Sequence, residues 1–259
     1  MNIKILGCSG GIGAYLRTTS MLVDNNILID AGTGVGDLSM DELLAIDHIF
    51  VTHSHLDHIA CIPLLLDTVM GFRESPVTLY ASAETIAILR AHIFNWVVWP
   101  DFTQIPNQAN ALLRYQELSL GQTINIDGRK IRSLPAHHVV PAVAYHLEGD
   151  ERSLVFTGDT TACDALWDEV NKIDSLKYLI IETAFSNHEI ELAKLSKHLC
   201  PSMLAEELNK LNVKSDQQSV EVFITHLKPG EDQIIMQEIA EAGIKWPIQA
   251  LRQQQMFTL

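Results

Sequence analysis

The chain has 259 residues, 47% of them apolar, and 32 acidic side chains against 18 basic ones give a formal charge of −14. That length can bury a substantial core, and no linker, repeat or low-complexity tract marks a boundary, so residues 1–259 are expected to form one domain. The charge argues against an extended nucleic-acid surface, which needs basic stripes, and no apolar run approaches the roughly 18 residues of a membrane span.

Alternating apolar residues predict strands at 2–6, 20–23 and 27–29, with Asp24-Asn25-Asn26 as a hairpin turn. The run ending at Cys8 resembles a lipoprotein cleavage box only superficially, because it lacks the apolar stretch of about 7–15 residues that export requires. Residues 2–6 read instead as a core strand, and a cytoplasmic location is expected. Residues 7–13 carry four glycines, but no helical pattern follows them, so a nucleotide-binding loop is a weak reading. Asp30 ends a strand in a glycine loop, where it either orients a site from behind or is an ordinary turn residue.

Helical character follows at 40–46 and 59–70, then a strand at 77–80 and an amphipathic helix at 83–95. Strands are predicted at 121–126, 130–135, 143–147 and 153–157. Helices at 163–170, 188–198 and 203–211 then flank strands at 177–181 and 220–225. A strand-rich first half followed by strand–helix alternation predicts a layered α/β fold. Cys8, Cys61, Cys163 and Cys200 are scattered, which indicates neither a disulfide framework nor a structural zinc site.

The densest chemistry lies at Thr52-His53-Ser54-His55-Leu56-Asp57-His58. Side chains two apart on an extended segment share a face, so His53 and His55 point at one spot. Asp57 and His58 fall just beyond, where a turn carries them to a second spot nearby. Imidazole and carboxylate suit zinc and its borderline neighbours, and this spacing suits two metals. A polar turn that happens to be rich in histidine is the bland alternative. Further ligand types recur at strand ends: the pair His137-His138, of which one can face inward, then Asp159 after Gly158, then His226.

The ordered set H-x-H-x-D-H, then His, Asp and His, resembles the metallo-β-lactamase superfamily. That resemblance implies a four-layered αβ/βα sandwich with a dinuclear site at the edge of its sheets. It implies one divalent ion on His53, His55 and His138, a second on Asp57, His58 and His226, and Asp159 bridging them. The family's third histidine precedes a proline by three residues, which selects His138 over His137. Zinc is the expected ion, with manganese or iron as alternatives.

Within the superfamily, His55-Leu56-Asp57-His58 resembles the class II cyclic-nucleotide phosphodiesterases, with Ala60 where their pattern carries glycine. The stretches His92-Ile93-Phe94-Asn95, Trp99-Pro100-Asp101, Ile181-Glu182-Thr183-Ala184-Phe185, His198-Leu199-Cys200-Pro201 and Thr225-His226-Leu227-Lys228-Pro229 are similar to the same family. The resemblance implies hydroxide attack on a small anionic 3′,5′-cyclic nucleotide, cyclic AMP or cyclic GMP, giving a nucleoside 5′-monophosphate. It names Asp57, His198 and Glu182 for catalysis, with His198 protonating the leaving oxygen and Glu182 holding it; Lys228 either meets a phosphate oxygen or is a solvated loop lysine. An exposed residue at a helix end is the plainer reading of His198.

Three placements fit the aromatics Phe94, Trp96, Trp99 and Phe102: core, a hood over the site, or a homodimer contact. The rival activities are tRNA 3′ processing, which expects a basic arm, and thioester or lactone hydrolysis. A non-enzymatic metal-binding module would be expected to lack a ligand, and all seven are present.

Overall fold

A computed structural model describes residues 1–212 and 220–259. Among these residues the strands form two seven-stranded sheets. The first carries β1 (Asn2–Gly7), β2 (Ser20–Val23), β3 (Ile27–Ala31), β4 (His48–Phe50), β5 (Val77–Ala81) and β6 (Leu113–Glu117) side by side. The second carries β7 (Thr123–Ile126), β8 (Arg129–Pro135), β9 (Val143–Glu148), β10 (Ser153–Phe156), β11 (Leu176–Glu182), β12 (Glu221–Thr225) and β13 (Ile248–Ala250), also in sequence order. The last strand, β14 (Met256–Thr258), returns to the first sheet and pairs antiparallel with β1.

The helices are α1 (Met40–Ala45), α2 (Leu56–Ile59), α3 (Cys61–Val69), α4 (Ala83–His92), α5 (Asp164–Val170), α6 (Ile190–Ser196), α7 (Pro201–Leu208) and α8 (Asp232–Glu241). Period-two alternation sorts side chains between cores. Ile3, Ile5, Met21, Val23, Ile27, Ile29 and Phe50 meet Leu154, Phe156, Ile180 and Phe223 between the sheets. Their neighbours Leu22, Leu28, Ile49 and Val51 face the other way, onto α3 and α4. Val155, Leu179, Ile181, Val222 and Ile224 likewise face α5, α7 and α8. The result is the four-layered αβ/βα sandwich, with helices outside both sheets. Among the described residues no helix is long and apolar enough to cross a membrane.

Strands β3 to β6 are parallel, as are β10 to β13. Two antiparallel steps, β8 to β9 and β9 to β10, turn β8 into the same direction as β10. The carboxyl ends of these strands therefore gather at one edge, where open α/β sheets place their ligands.

The predicted hairpin at residues 24–26 is present, with Val23 opposite Ile27. The predicted helix at 188–198 is shorter: a 3-10 turn at Asn187–Glu189 leads into α6, and Lys197 at φ 53° stops it. The sequence reading missed β6, β13 and β14, edge strands that bury at most one residue each, so no clear alternation marks them. It also missed α8.

Candidate metal centre

His53 follows β4, His55 caps the start of α2, and Asp57 and His58 lie in that helix's only turn. His138 follows β8, Asp159 follows β10 and His226 follows β12. Ligand-type atoms of His53, His55, His138 and Asp159 lie within 4.8 Å of one another, and so do those of Asp57, His58, Asp159 and His226. The structure thus brings all seven together, as two groups sharing Asp159.

Several contacts orient the rings. Thr52 donates its hydroxyl to Asp30 Oδ2 at 2.8 Å, and its backbone N–H donates to Asp30 Oδ1 at 2.7 Å. With that single proton used, Thr52 Oγ1 can only accept from His53 Nδ1, 3.0 Å away. The bond puts the His53 proton on Nδ1 and leaves Nε2 as a lone pair facing the site. His138 Nδ1 donates to the Lys197 carbonyl at 3.0 Å, which leaves its Nε2 as a lone pair 3.1 Å from His55 Nδ1.

Within the cluster, three ring nitrogens, His53 Nε2, His58 Nε2 and His226 Nδ1, are buried without a hydrogen-bond partner. They stand 3.5, 3.3 and 3.2 Å from Asp159 oxygens, yet none is aligned as a hydrogen bond. Buried polar atoms this close but unpaired are costly unless a further group lies among them. Lone pairs and a carboxylate converging on one point fit a divalent cation, and the donor set suits zinc, manganese or iron.

For three of the rings the electrostatics agree. Burial pushes His53 down and takes His138 to about 4 and His226 to about 3, which keeps those rings neutral, the ligating form. Burial opposes charge on Asp159, but His226, His58 and His53 outweigh it and hold that carboxyl well below its ordinary value; against the same burial, Asp159 and Asp30 hold His58 well above its own, so a metal at His58 would displace a proton.

His198 Nδ1 donates to Glu182 Oε1 at 2.8 Å. Its ring stacks on His226 with centroids 5.1 Å apart and meets His138 edge-on at 4.8 Å. The side chain is buried, which corrects the plainer reading of an exposed helix-end histidine. Glu182 also accepts from the backbone of Thr160 and Leu199. Burial lowers the His198 pKa, but the Glu182 carboxylate reverses the effect and raises it.

His137, by contrast, is exposed, with Nε2 3.1 Å from Lys197 Nζ. Lys228 donates to the Gly10 carbonyl at 2.8 Å and lies 5.8 Å from the Phe185 ring centroid. Ala60 sits in the ordinary right-handed helical region, so no glycine is needed there.

The aromatic segment is not a hood. It links the far end of α4 to the start of β6, whose first residue, Leu113, donates to the Phe102 carbonyl. Since β5 and β6 are parallel, that junction lies at the opposite edge from the cluster. Phe94 and Phe102 are core residues, and Trp96 is 60% exposed.

Sequence reasoning gave Thr52, Gly10 and the Lys197 carbonyl no role. The four-glycine run was the available signal for Gly10: a Cβ there would lie 2.4 Å from the His226 carbonyl oxygen.

Back-to-back sheets, outer helices and an imidazole–carboxylate cluster at the strand ends define an αβ/βα protein with a candidate dinuclear metal centre. Residues 25–233 match the β-lactamase superfamily domain, and the chain belongs to that family. It is 29% identical over 228 residues to a probable 3′,5′-cyclic-nucleotide phosphodiesterase of Yersinia pestis, covering 77% of this chain and 64% of that protein. It is 31% identical over 160 residues to a ribonuclease Z of Haloarcula marismortui, covering 59% of this chain and 49% of that protein. The chain therefore spans less than two thirds of the length of these relatives.

Among solved structures, unliganded yeast PDE1 matches 100% of this chain and 99% of its own, with a TM-score of 0.81 at 20% identity. The short form of human tRNase Z (ELAC1) also matches 100% of this chain and 99% of its own, with a TM-score of 0.67 at 15% identity. These likenesses speak to the fold.

Proposed function

We propose that the protein is a two-metal 3′,5′-cyclic-nucleotide phosphodiesterase that releases nucleoside 5′-monophosphates. The observation that carries this reading is the pair of ligand groups sharing Asp159, with the His198–Glu182 couple beside them. The Yersinia relative supports the substrate class.

His53, His55 and His138 would hold one divalent ion, and Asp57, His58 and His226 the other, with Asp159 common to both. Zinc fits best, with manganese or iron as alternatives. Bound there, two such ions supply Lewis acidity toward the phosphodiester and favour deprotonation of water.

The protein's own residues do the rest. Thr52 and Asp30 hold the His53 and His58 rings in place. With Nδ1 committed to Glu182, His198 presents Nε2 to the leaving oxygen. As a new P–O bond forms from water, whose proton passes to solvent, and the P–O3′ bond breaks, the imidazolium gives its proton to O3′.

The ribonuclease Z relative favours a second reading, cleavage of RNA 3′ ends. The formal charge of −14 weighs against it, because a long polyanion needs basic contacts. The deciding test is incubation of the metal-loaded protein with 3′,5′-cyclic AMP and, separately, 3′,5′-cyclic GMP, and chromatography of the products. Release of 5′-AMP or 5′-GMP supports the proposal; no turnover of either with both ions bound removes it.

A further inference from the structure

Beside the metal centre, on the side of His138, lies a cleft of about 690 Å³. That volume is within the range of small-molecule pockets, roughly 300–1,000 Å³. Its walls come from the ends of β5 and β6 and from the chain that leaves β8, so it opens at the same edge as the cluster and shares His138 with it.

Leu120 and Val139, both lining residues, are 62% and 48% exposed. Large apolar side chains left open beside a reactive centre fit a flat ligand lying against them. The rim also carries two carboxylates. Glu117 ends β6, paired in register with Ala81 of β5, and Glu84 follows Ala81 by three residues in the first turn of α4. Both are exposed.

Two carboxylates repel a phosphate, which keeps the anionic end of a nucleotide at the metal ligands and turns the other end into the cleft. They also select among bases. A carboxylate only accepts hydrogen bonds. Guanine presents N1–H and the N2 amino group side by side, two donors that match two carboxylate oxygens. Adenine presents an amino group beside an acceptor nitrogen, so one carboxylate oxygen would face a lone pair. Such a mismatch discriminates modestly here, because both carboxylates are exposed and water can still solvate them.

We propose that this cleft is the nucleoside pocket, with the base against Leu120 and Val139 and with Glu84 and Glu117 selecting guanine nucleotides over adenine nucleotides. The assignment deepens the phosphodiesterase reading and rests on it for the position of the phosphate.

Binding can be measured apart from turnover. Calorimetric titration of 5′-GMP and 5′-AMP into the zinc-loaded protein should show GMP binding about tenfold more tightly, within the range a bidentate base contact supplies. The double variant Glu84→Gln, Glu117→Gln should bring the two affinities together, chiefly by weakening GMP. Equal affinities in the native protein, no detectable binding of either nucleotide, or an undiminished preference in the double variant would overturn the assignment. Hydrolysis of cyclic nucleotides is scored separately. Turnover without a guanine preference sinks the cleft assignment alone, and guanine-selective binding without turnover sinks the hydrolase reading alone.

Discussion

Nδ1 of His58 lies 2.7 Å from Oδ2 of Asp30, and both side chains are fully buried. The pair joins residues 28 apart and fixes the ring whose other nitrogen faces Asp159. Asp30 itself stands at φ +55°, a region that Asp and Asn tolerate better than other side chains.

Asp30→Asn keeps the backbone preference but removes the carboxylate that pins His58 and Thr52. It should lower metal affinity by about 10- to 100-fold, the usual cost of losing a group that orients a ligand. Competition against a chromophoric chelator measures this, and unchanged affinity would show that Asp30 is only a turn residue.

Gly10→Ala should disturb the centre from outside the ligand set. The new Cβ would meet the His226 carbonyl oxygen at 2.4 Å and the His226 ring at 2.9 Å, and backbone cannot swing away. A loss of about 1–3 kcal/mol is expected, as for other overpacked sites. Bound metal should fall by one ion per chain. Gly13→Ala meets only the flexible Leu16 side chain, at 3.2 Å, and should be nearly neutral. Denaturant melts and elemental analysis of both variants would expose an error if they behaved alike.

His138→Ala removes a buried ring that faces His55, whereas His137→Ala removes an exposed one. The first should reduce kcat by about 100-fold or more and the second by about threefold at most, given the gap between losing a metal ligand and changing a surface group. Steady-state kinetics that reversed this order would reassign the ligand.

Glu182 raises the pKa of His198 against the effect of burial, so the ring stays protonated to a higher pH than an ordinary histidine. An acid is lost as pH rises through its pKa, so activity on cyclic AMP should fall on the alkaline side. In Glu182→Gln that limb should move to lower pH. Bis-(4-nitrophenyl) phosphate has a leaving group that needs no proton, so its hydrolysis should be far less sensitive to His198→Gln than cyclic AMP hydrolysis. Equal losses on the two substrates would deny His198 its role as acid.

Stripping the metals leaves His53 Nε2, His58 Nε2 and His226 Nδ1 buried and unpaired. Ions held at 100 times their dissociation constant would stabilise the fold by about 2.7 kcal/mol per site. Thermal melts should therefore shift down on dialysis against chelator and recover when zinc returns. A melting temperature indifferent to both would argue that the cluster holds no metal.

Much of this centre was legible in the chain because its first four ligand-type residues are local. Within His53–His58, strand alternation and one helical turn bring the side chains together whatever the rest of the fold does. His138, Asp159 and His226 were legible as strand ends, since β-periodicity is also local. The order of elements indicated a layered α/β fold, and the family resemblance implied its αβ/βα arrangement.

Strand alternation let only one of His137 and His138 face inward without saying which, and the spacing to Pro141 selected His138 only through the family resemblance; the fold buries that ring and exposes its neighbour because burial depends on which element covers them. The turn at Lys197 took His198 off its helix and delivered it to Glu182, a pairing no periodicity encodes. Topology likewise sent the aromatic segment to the far edge, since a helix returning between two parallel strands must end opposite the site. Local pattern determined which residues carry the chemistry; the order and direction of the strands decided which of them meet.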